Sequence, residues 1–310
     1  MVDYKTLIDD EMWAYIHKLD SSYPPDAVAF SVEEQRAFYD RMCAMFRAPR
    51  PANVVSVDET YGGVACRRYE ADVESDVTVV YYHGGGFVVG GLESQDDVCA
   101  EICSRTGYGV ISVDYGLAPE TVFPGIFEDS CAAFEAVRQK WSGHLLLCGD
   151  SAGGNLAAAV MQFARGRSGR MPVGQVLIYP GLGGDITKGS YVTHANAPHL
   201  TVRDLKFYET VRTGGKPIPE RDPRFRPLQD TDFSGLPPTL VVTAECDPLS
   251  SDGETYRDAI RAAGGKAEWI EVKGMVHACL RARNMSRRAA GFFDHAVQGI
   301  AALGKQEWPY

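Results

Sequence analysis

Short runs rich in β-branched residues alternate with stretches of helical periodicity along most of this 310-residue chain. From the third run onward, most are separated by enough residues to hold a helix, and this alternation predicts a mostly parallel sheet covered by helices on both faces. The first two runs are joined by a short link, which predicts an antiparallel edge. The eight runs lie at 54–57, 64–70, 77–82, 109–113, 145–149, 175–179, 239–244 and 268–272.

Two parts of the chain lack this alternation. The first 50 residues carry two amphipathic helices, the second beginning at Ser31 with Glu34 completing a capping box. Residues 181–238 are rich in glycine, proline, asparagine and charge, with one helix predicted near 201–212. Long segments without strands often form lids or binding loops. We therefore expect both parts to lie outside the sheet.

The composition excludes several functional classes. A net charge of −10 argues against nucleic acid, whose phosphates require a basic surface. No apolar run approaches the roughly 18 residues of a membrane helix, and acidic residues interrupt the stretch that a signal peptide would need. The eight cysteines lie mostly in apolar segments without a Cys-x-x-Cys pair. We expect a cytoplasmic protein with no membrane partner, no nucleic-acid partner and no metal site.

Ser151 lies in the sequence Gly-Asp-Ser-Ala-Gly at residues 149–153, here called the serine turn. An apolar run precedes it and an alanine-rich helical stretch follows. The Gly-x-Ser-x-Gly pattern needs this strand–turn–helix setting to expose a strained serine hydroxyl above a sheet. The helix N-terminus also favours developing negative charge. An ordinary glycine-rich turn is the alternative, but the flanking elements favour a nucleophile.

Three consecutive glycines follow the buried run at 77–82, directly after His83. A plain turn needs fewer, because each glycine costs chain entropy. We predict a backbone cradle, the glycine loop of residues 83–87, whose N–H groups hold an oxyanion together with the N–H of Ala152. A phosphate loop is excluded because no Gly-Lys-Ser or Gly-Lys-Thr ending follows. His83 is expected to orient the loop through its ring. The three glycines are Gly84, Gly85 and Gly86.

A serine nucleophile needs a base, and the base needs an orienting carboxylate. His277 follows the last strand run in a glycine-bearing loop, from which its ring could reach Ser151. Asp247 follows the penultimate run. Both positions lie at the edge where open α/β sheets place ligands. Alternatives for the acid are Glu245 and Asp252.

Five motifs jointly resemble the hormone-sensitive-lipase-like carboxylesterases, most closely the bacterial branch with a Gly-Asp-Ser-Ala-Gly-Gly turn. The resemblance covers about residues 51–304. It implies an α/β-hydrolase fold, with an eight-stranded mostly parallel sheet, helices on both faces and a helical cap. The motifs are His83-Gly84-Gly85-Gly86, Asp114-Tyr115-Gly116-Leu117-Ala118-Pro119-Glu120, Gly149-Asp150-Ser151-Ala152-Gly153-Gly154, Asp247-Pro248-Leu249 and His277.

The resemblance also implies a division of the chain and an activity. Residues 1–50 would form an N-terminal cap segment and residues 181–222 a cap insert, with the core built from 51–180 and 223–310. The expected activity is hydrolysis of short-chain acyl esters without a cofactor. The side chains of Asp150 and Glu120 would help to hold the two loops. The catalytic residues would be Ser151, Asp247 and His277.

Two other functions can be built on the same motifs. An amidase or deacetylase would use the same triad, and a ligand-binding receptor on this fold would lack the base. The presence of His277 disfavours the receptor. The expected partner is a small-molecule ester, and a homodimer is left open.

The chain departs from the family pattern at a few positions. Gly116 stands where the family usually has arginine and Thr121 where it often has histidine, and neither change is expected to abolish catalysis. Residues 278–279 are Ala-Cys where Gly-Phe is usual, which could reshape the pocket.

Residues outside the motifs also bear on the site. We interpret a basic cluster after His277 as an exposed face, with guidance of a carboxylate-bearing substrate as the alternative. Cap residues that could reach the site are Tyr23, Phe30, His194 and His199. The basic cluster consists of Arg281, Arg283, Arg287 and Arg288.

Overall fold

A computed structural model describes residues 2–24 and 26–310 and shows one eight-stranded sheet. Each strand coincides with a β-branched run of the sequence, which confirms the predicted fold class. The central strands are buried along their whole length, as expected for a sheet covered on both faces. The strands are β1 (Val54–Tyr61), β2 (Val64–Ala71), β3 (Val77–Tyr82), β4 (Gly109–Val113), β5 (His144–Asp150), β6 (Gly174–Ile178), β7 (Thr239–Cys246) and β8 (Ala267–Val276).

The strand order is β1-β2-β4-β3-β5-β6-β7-β8. From β4 to β8 every neighbouring pair is parallel, whereas β2 is antiparallel to both β1 and β4. The predicted antiparallel edge is therefore confirmed. Because β3, β5, β7 and β8 run parallel, their carboxyl ends lie along the same edge of the sheet, where ligands bind in open α/β folds.

Ten α-helices surround the sheet in the described part of the chain, and two apolar clusters fill the space between the layers. One cluster includes residues of α4 and α10, and the other includes residues of α5, α6 and α9. The helices are α1 (Tyr4–Leu7), α2 (Asp10–Asp20), α3 (Val32–Phe46), α4 (Asp96–Thr106), α5 (Gly125–Lys140), α6 (Ala152–Arg165), α7 (Gly189–Thr193), α8 (Val202–Arg212), α9 (Ser250–Ala262) and α10 (Arg287–Gly304).

The N-terminal segment packs on the same side of the sheet as α4 and α10. Met12 and Tyr15 of α2 and Met42 of α3 belong to that apolar cluster. In the segment 181–222, α7 and α8 contribute to a small separate cluster around Tyr191 and Leu249. No helix in residues 2–24 and 26–310 is long and apolar enough to cross a bilayer.

Candidate active site

The serine turn joins β5 directly to α6. Ser151 has φ 55° and ψ −115°, a conformation that L-residues rarely adopt and that costs about 1–3 kcal/mol. The turn is this tight because α6 begins close to the end of β3: a Cβ on Gly153 would lie 1.9 Å from the carbonyl oxygen of Tyr82. Glycine is therefore required at 153, and the serine hydroxyl stands at the N-terminus of α6.

Three predicted residues from three different loops form one hydrogen-bonded chain. The Oγ of Ser151 lies 2.8 Å from Nε2 of His277, and Nδ1 of His277 lies 2.6 Å from Oδ2 of Asp247. Asp247 is fully buried, and its other oxygen accepts the N–H of Leu249 at 2.9 Å. This is the geometry of a nucleophile, a base and an orienting acid.

The two alternative acids serve elsewhere. Glu245 accepts the N–H of Gly274 at 2.8 Å. Asp252 accepts the N–H of Leu182 at 2.7 Å and the hydroxyl of Tyr191 at 3.0 Å. Burial raises the pKa of Asp252 to about 7 against these hydrogen bonds. Asp252 therefore ties the beginning of the segment 181–222 to α9.

The glycine loop has backbone conformations that favour glycine. Gly85 has φ 129°, and a Cβ there would lie 2.0 Å from the carbonyl oxygen of Val89. Among the described residues, the N–H groups of Gly85 and Gly86 donate to no acceptor. The N–H of Ala152 belongs to the first turn of α6, where no intrahelical carbonyl can accept it. These three donors are thus available to a ligand oxygen.

Gly84 must be removed from the predicted oxyanion cradle. Its N–H donates to Oδ1 of Asp150 at 2.9 Å, so it is already used within the protein. A Cβ on Gly84 would lie 2.5 Å from the same carboxylate. Gly84 therefore joins the glycine loop to the serine turn rather than facing a substrate.

Asp150 accepts the hydrogen bonds that connect the glycine loop to the serine turn. Besides the Gly84 N–H, its carboxylate accepts the hydroxyl of Tyr81 at 2.8 Å and the amide of Gln95 at 2.9 Å. Burial raises the pKa of Asp150, while Tyr81, Arg281 and Gly84 act in the opposite direction. The geometry agrees with the predicted supporting role.

His83 and Glu120 support the site in different ways. Nδ1 of His83 lies 2.8 Å from the carbonyl oxygen of Gly84, and its ring stacks on Tyr115 with centroids 4.3 Å apart. Burial lowers the pKa of His83 to about 4, so the ring is neutral and Nδ1–H donates. Glu120 is exposed and pairs with Arg36, which also donates to the carbonyl oxygen of Val88 at 2.9 Å. Glu120 thus acts on the loop through Arg36 of α3.

A cavity of about 410 Å³ lies above Ser151. Its walls come from the core and from both cap-like parts of the chain. Tyr23 and His199 line it, whereas Phe30 and His194 do not. Further lining residues include Ile16, Tyr39, Phe87, Asn155, Tyr208 and Arg212.

The basic cluster is the clearest error of the sequence interpretation. Arg281 is only 6% exposed and lines the cavity, donating to Tyr39 Oη at 2.9 Å and to the Ser94 carbonyl oxygen at 3.0 Å. Arg283 is buried against Asp97 and Glu101 of α4. Only Arg287 and Arg288 are exposed, as predicted for the whole cluster.

The departures from the family pattern at Ala278, Gly116 and Thr121 lie in two places. Ala278 has φ 61°, a left-handed conformation that favours the glycine usual there, and it lines the cavity. Its carbonyl oxygen accepts the hydroxyl of Tyr15 at 3.2 Å, which joins α2 to the loop of His277. A Cβ on Gly116 would lie 2.5 Å from Oγ1 of Thr121, so these two departures occupy the same space.

Sequence reasoning missed Arg212 and Tyr208 of α8. The ring of Tyr208 lies where a Cβ on Gly86 would be, and Arg212 is buried at the end of the helix. The helix itself was predicted, but no periodicity in it marks the side that faces the cavity. The only available signal was an arginine at the end of a helix, which is ordinary helix capping.

Comparisons with known proteins agree with the fold and the motifs. A family model described as alpha/beta hydrolase fold matches residues 79–281. Carboxylic ester hydrolase LipN of Mycobacterium tuberculosis is 31% identical over 291 residues, covering 89% of this chain and 77% of LipN. Ethyl acetate hydrolase of Pseudomonas putida is 33% identical over 211 residues, 66% of each chain.

A solved structure shows the same architecture. The hyperthermophilic esterase of Pyrobaculum calidifontis has 30% identity and a TM-score of 0.87, over 96% of this chain and 99% of that one. The sheet, its helices and the serine turn define the class of α/β hydrolases. The chain belongs to that family, within its hormone-sensitive-lipase-like carboxylesterases.

Proposed function

We propose that this carboxylesterase hydrolyses short-chain acyl esters through a Ser151–His277–Asp247 triad and an acyl-enzyme intermediate. The observation that carries the proposal is the continuous hydrogen-bonded chain from Ser151 Oγ through both nitrogens of His277 to Asp247. A buried carboxylate on Nδ1 fixes the tautomer in which Nε2 accepts the serine proton.

The mechanism follows from these contacts. His277 Nε2 takes the proton of Ser151 as Oγ attacks the acyl carbon, and the N–H groups of Gly85, Gly86 and Ala152 bind the oxyanion. His277 then protonates the leaving alcohol oxygen. A water molecule, deprotonated by His277, attacks the acyl-enzyme and releases the acid. Because the glycine loop and the serine turn are joined through Asp150, donors and nucleophile keep one geometry.

Preference for short acyl chains is supported by the size of the cavity and by the segments that form its walls. About 410 Å³ lies near the lower end of the range for ligand pockets. The N-terminal segment and the segment 181–222 both contribute walls, which fits their proposed role as a cap. The similarity to a relative named ethyl acetate hydrolase also agrees with a small substrate.

The triad can be tested with Ser151→Ala and with Ser142→Ala, which changes an exposed serine before β5. We expect Ser151→Ala to lower kcat for p-nitrophenyl acetate by on the order of 10⁴ to 10⁶. A serine-directed phosphonate should add its mass to the wild type and Ser142→Ala but not to Ser151→Ala. Wild-type activity in Ser151→Ala would disprove the proposal.

The chain-length proposal needs a separate measurement. With p-nitrophenyl esters from acetate to decanoate, kcat/KM should be highest for the shortest chains and fall as the acyl chain outgrows the cavity. A maximum at the longest esters would contradict the size argument while leaving the triad intact. Matched anilides would show whether the same site also cleaves amides.

A further inference from the structure

Arg212, the last residue of α8, is only 2% exposed and lines the same cavity as Ser151. Its guanidinium lies between two aromatic rings, 3.6 Å from the centroid of Phe87 and 4.1 Å from that of Phe225. Nη1 donates to the carbonyl oxygen of Phe225 at 3.1 Å, and Nη2 donates to Oδ1 of Asn155 at 3.1 Å. Both acceptors are neutral.

Arg212 forms no salt bridge with any carboxylate of residues 2–24 and 26–310. The nearby acids have other partners: Glu209 pairs with Arg226 at 2.8 Å and Asp222 with Arg224 at 2.7 Å. Nε of Arg212 is buried and has no acceptor. A buried cation without a counter-ion is costly, and an unsatisfied buried donor beside a ligand cavity requires an explanation.

A second buried arginine provides the contrast. Arg281 also lines the cavity without a salt bridge, but its charge acts on the buried Asp150 and opposes the rise that burial causes in the pKa of that carboxyl group. The charge of Arg281 therefore faces a buried acidic group of the protein. Arg212 lacks a comparable buried carboxylate among the described residues, although Glu209 and Asp222 act on it from a distance.

The position of Arg212 indicates which part of an ester it faces. His277 must protonate the leaving oxygen, so the alcohol group leaves on the side of His277. Arg212 instead bonds to Asn155, one turn along α6 from Ser151, and stacks on Phe87, the residue after Gly86. An acyl group that points away from the base would extend toward these residues.

We propose that Arg212 binds a carboxylate carried by the acyl group of the substrate, so that the preferred substrates are half-esters of short dicarboxylic acids. This rests on the proposed triad function. The planar guanidinium offers several N–H donors to a carboxylate, and the two rings hold it in place. Arg212 is charged at neutral pH, because burial lowers its pKa only to about 9.

The test compares two esters of the same shape. Monoethyl glutarate carries a carboxylate where ethyl 5-methylhexanoate carries an isopropyl group, and ethanol release measures both. In the wild type we expect kcat/KM to favour the glutarate by about 10-fold or more, as a hydrogen-bonded charge in a pocket should. Arg212→Met should abolish or invert this ratio, and Arg212→Lys should restore part of it. Arg203→Met, which removes an exposed arginine on the same helix that does not line the cavity, should leave the ratio unchanged within about twofold.

Two further measurements separate a binding role from a structural one. The wild-type ratio should be constant around neutral pH and fall only at alkaline pH, because burial lowers the pKa of Arg212, both esters share the triad and only the glutarate needs the cation. The titratable groups around Arg212 are Glu209 on α8, Asp222 in the following loop and Tyr115 after β4. A second matched pair, 4-acetoxybutyrate and 4-methylpentyl acetate, places the carboxylate or the isopropyl group on the alcohol side of the ester. The ratio of their kcat/KM values should be the same in the wild type and in Arg212→Met.

The outcomes distinguish this inference from the triad. If the wild type hydrolyses p-nitrophenyl acetate but shows no preference for the glutarate, the inference is wrong and the triad stands. The inference would also be overturned if Arg212→Met and Arg212→Lys lowered kcat/KM equally for monoethyl glutarate and ethyl 5-methylhexanoate. A preference for a carboxylate that appeared only with 4-acetoxybutyrate would overturn it as well. If no ester is hydrolysed at all, the proposed function itself fails. If Arg212→Met does not fold, the inference is decided by the ester ratio of Arg212→Lys and by the pH dependence of the wild-type ratio.

Discussion

The two helices that border the cavity are held in very different ways. In α6, twelve of the 14 residues are buried, and its N-cap is Ser151, the proposed nucleophile. In α8, only Arg212 of 11 residues is buried. The first helix packs on the sheet and against α5, whereas the second contacts the core mainly at its C-terminus and through Tyr208 above Gly86.

This difference separates the residues proposed to carry out the reaction from the residues proposed to select the substrate. Groups that must keep sub-ångström geometry, namely the serine turn and the glycine loop, belong to the most buried part of the molecule. Groups proposed to choose the acyl chain belong to a helix with few buried contacts, which costs less to change or displace. We therefore expect core-side substitutions to act on kcat or folding, and cap-side substitutions to act on substrate ratios.

The largest effect is expected for Asp247→Asn, with Glu245→Gln as its matched control. An amide at 247 would favour the wrong tautomer of His277, so kcat should fall by about 10⁴ while KM and folding change little. Glu245 holds a backbone N–H that glutamine can still bind, so Glu245→Gln should retain most activity. The measurement is steady-state kinetics with p-nitrophenyl acetate. If kcat fell more in Glu245→Gln than in Asp247→Asn, Glu245 rather than Asp247 would be the acid of the triad.

Gly153→Ala should have the next largest effect, on folding rather than on binding. Its Cβ would collide with two backbone carbonyl oxygens, those of Tyr82 and His83, neither of which can rotate away. We expect a loss of about 3 kcal/mol in the free energy of unfolding, measured with urea, and reduced activity in whatever protein folds. Gly291→Ala is the control, because a Cβ there meets open space on α10 and should stabilise by up to about 1 kcal/mol. Equal free energies of unfolding for the two variants would contradict the close approach of Gly153 to the carbonyl oxygens of Tyr82 and His83.

The sequence predicts the features that depend on local patterns and misses those that depend on contacts between distant parts of the chain. The strands, the serine turn and the order of Ser151, Asp247 and His277 depend on local patterns, and the structure brings those three residues together. The errors concern long-range contacts. Arg281 was interpreted as exposed because arginines usually are, yet it bonds to Tyr39, 242 residues away. Gly84 was misassigned because three adjacent glycines are indistinguishable until Asp150 binds one of them.

The smallest effect tests how the segment 181–222 is tied to the core. Asp252 accepts hydrogen bonds from Leu182 and Tyr191, and burial raises its pKa to about 7, from 3.8 in an unfolded chain. Folding therefore takes up a proton between about pH 4 and 7, and stability falls as pH rises through that range. Asp252→Asn keeps an oxygen acceptor but cannot ionise. We expect its gain over the wild type to be about 2–3 kcal/mol larger at pH 8 than at pH 5.

Urea unfolding at both pH values measures this gain, with Asp258→Asn as the control. Asp258 is exposed on the same helix, α9, so its replacement should change stability by a similar small amount at pH 5 and pH 8. A gain for Asp252→Asn that is equal at both pH values would show that Asp252 does not hold its proton in the folded protein. A gain that is larger at pH 8 would mean that the hydrogen bonds between Asp252 and the segment 181–222 hold that segment least firmly at alkaline pH.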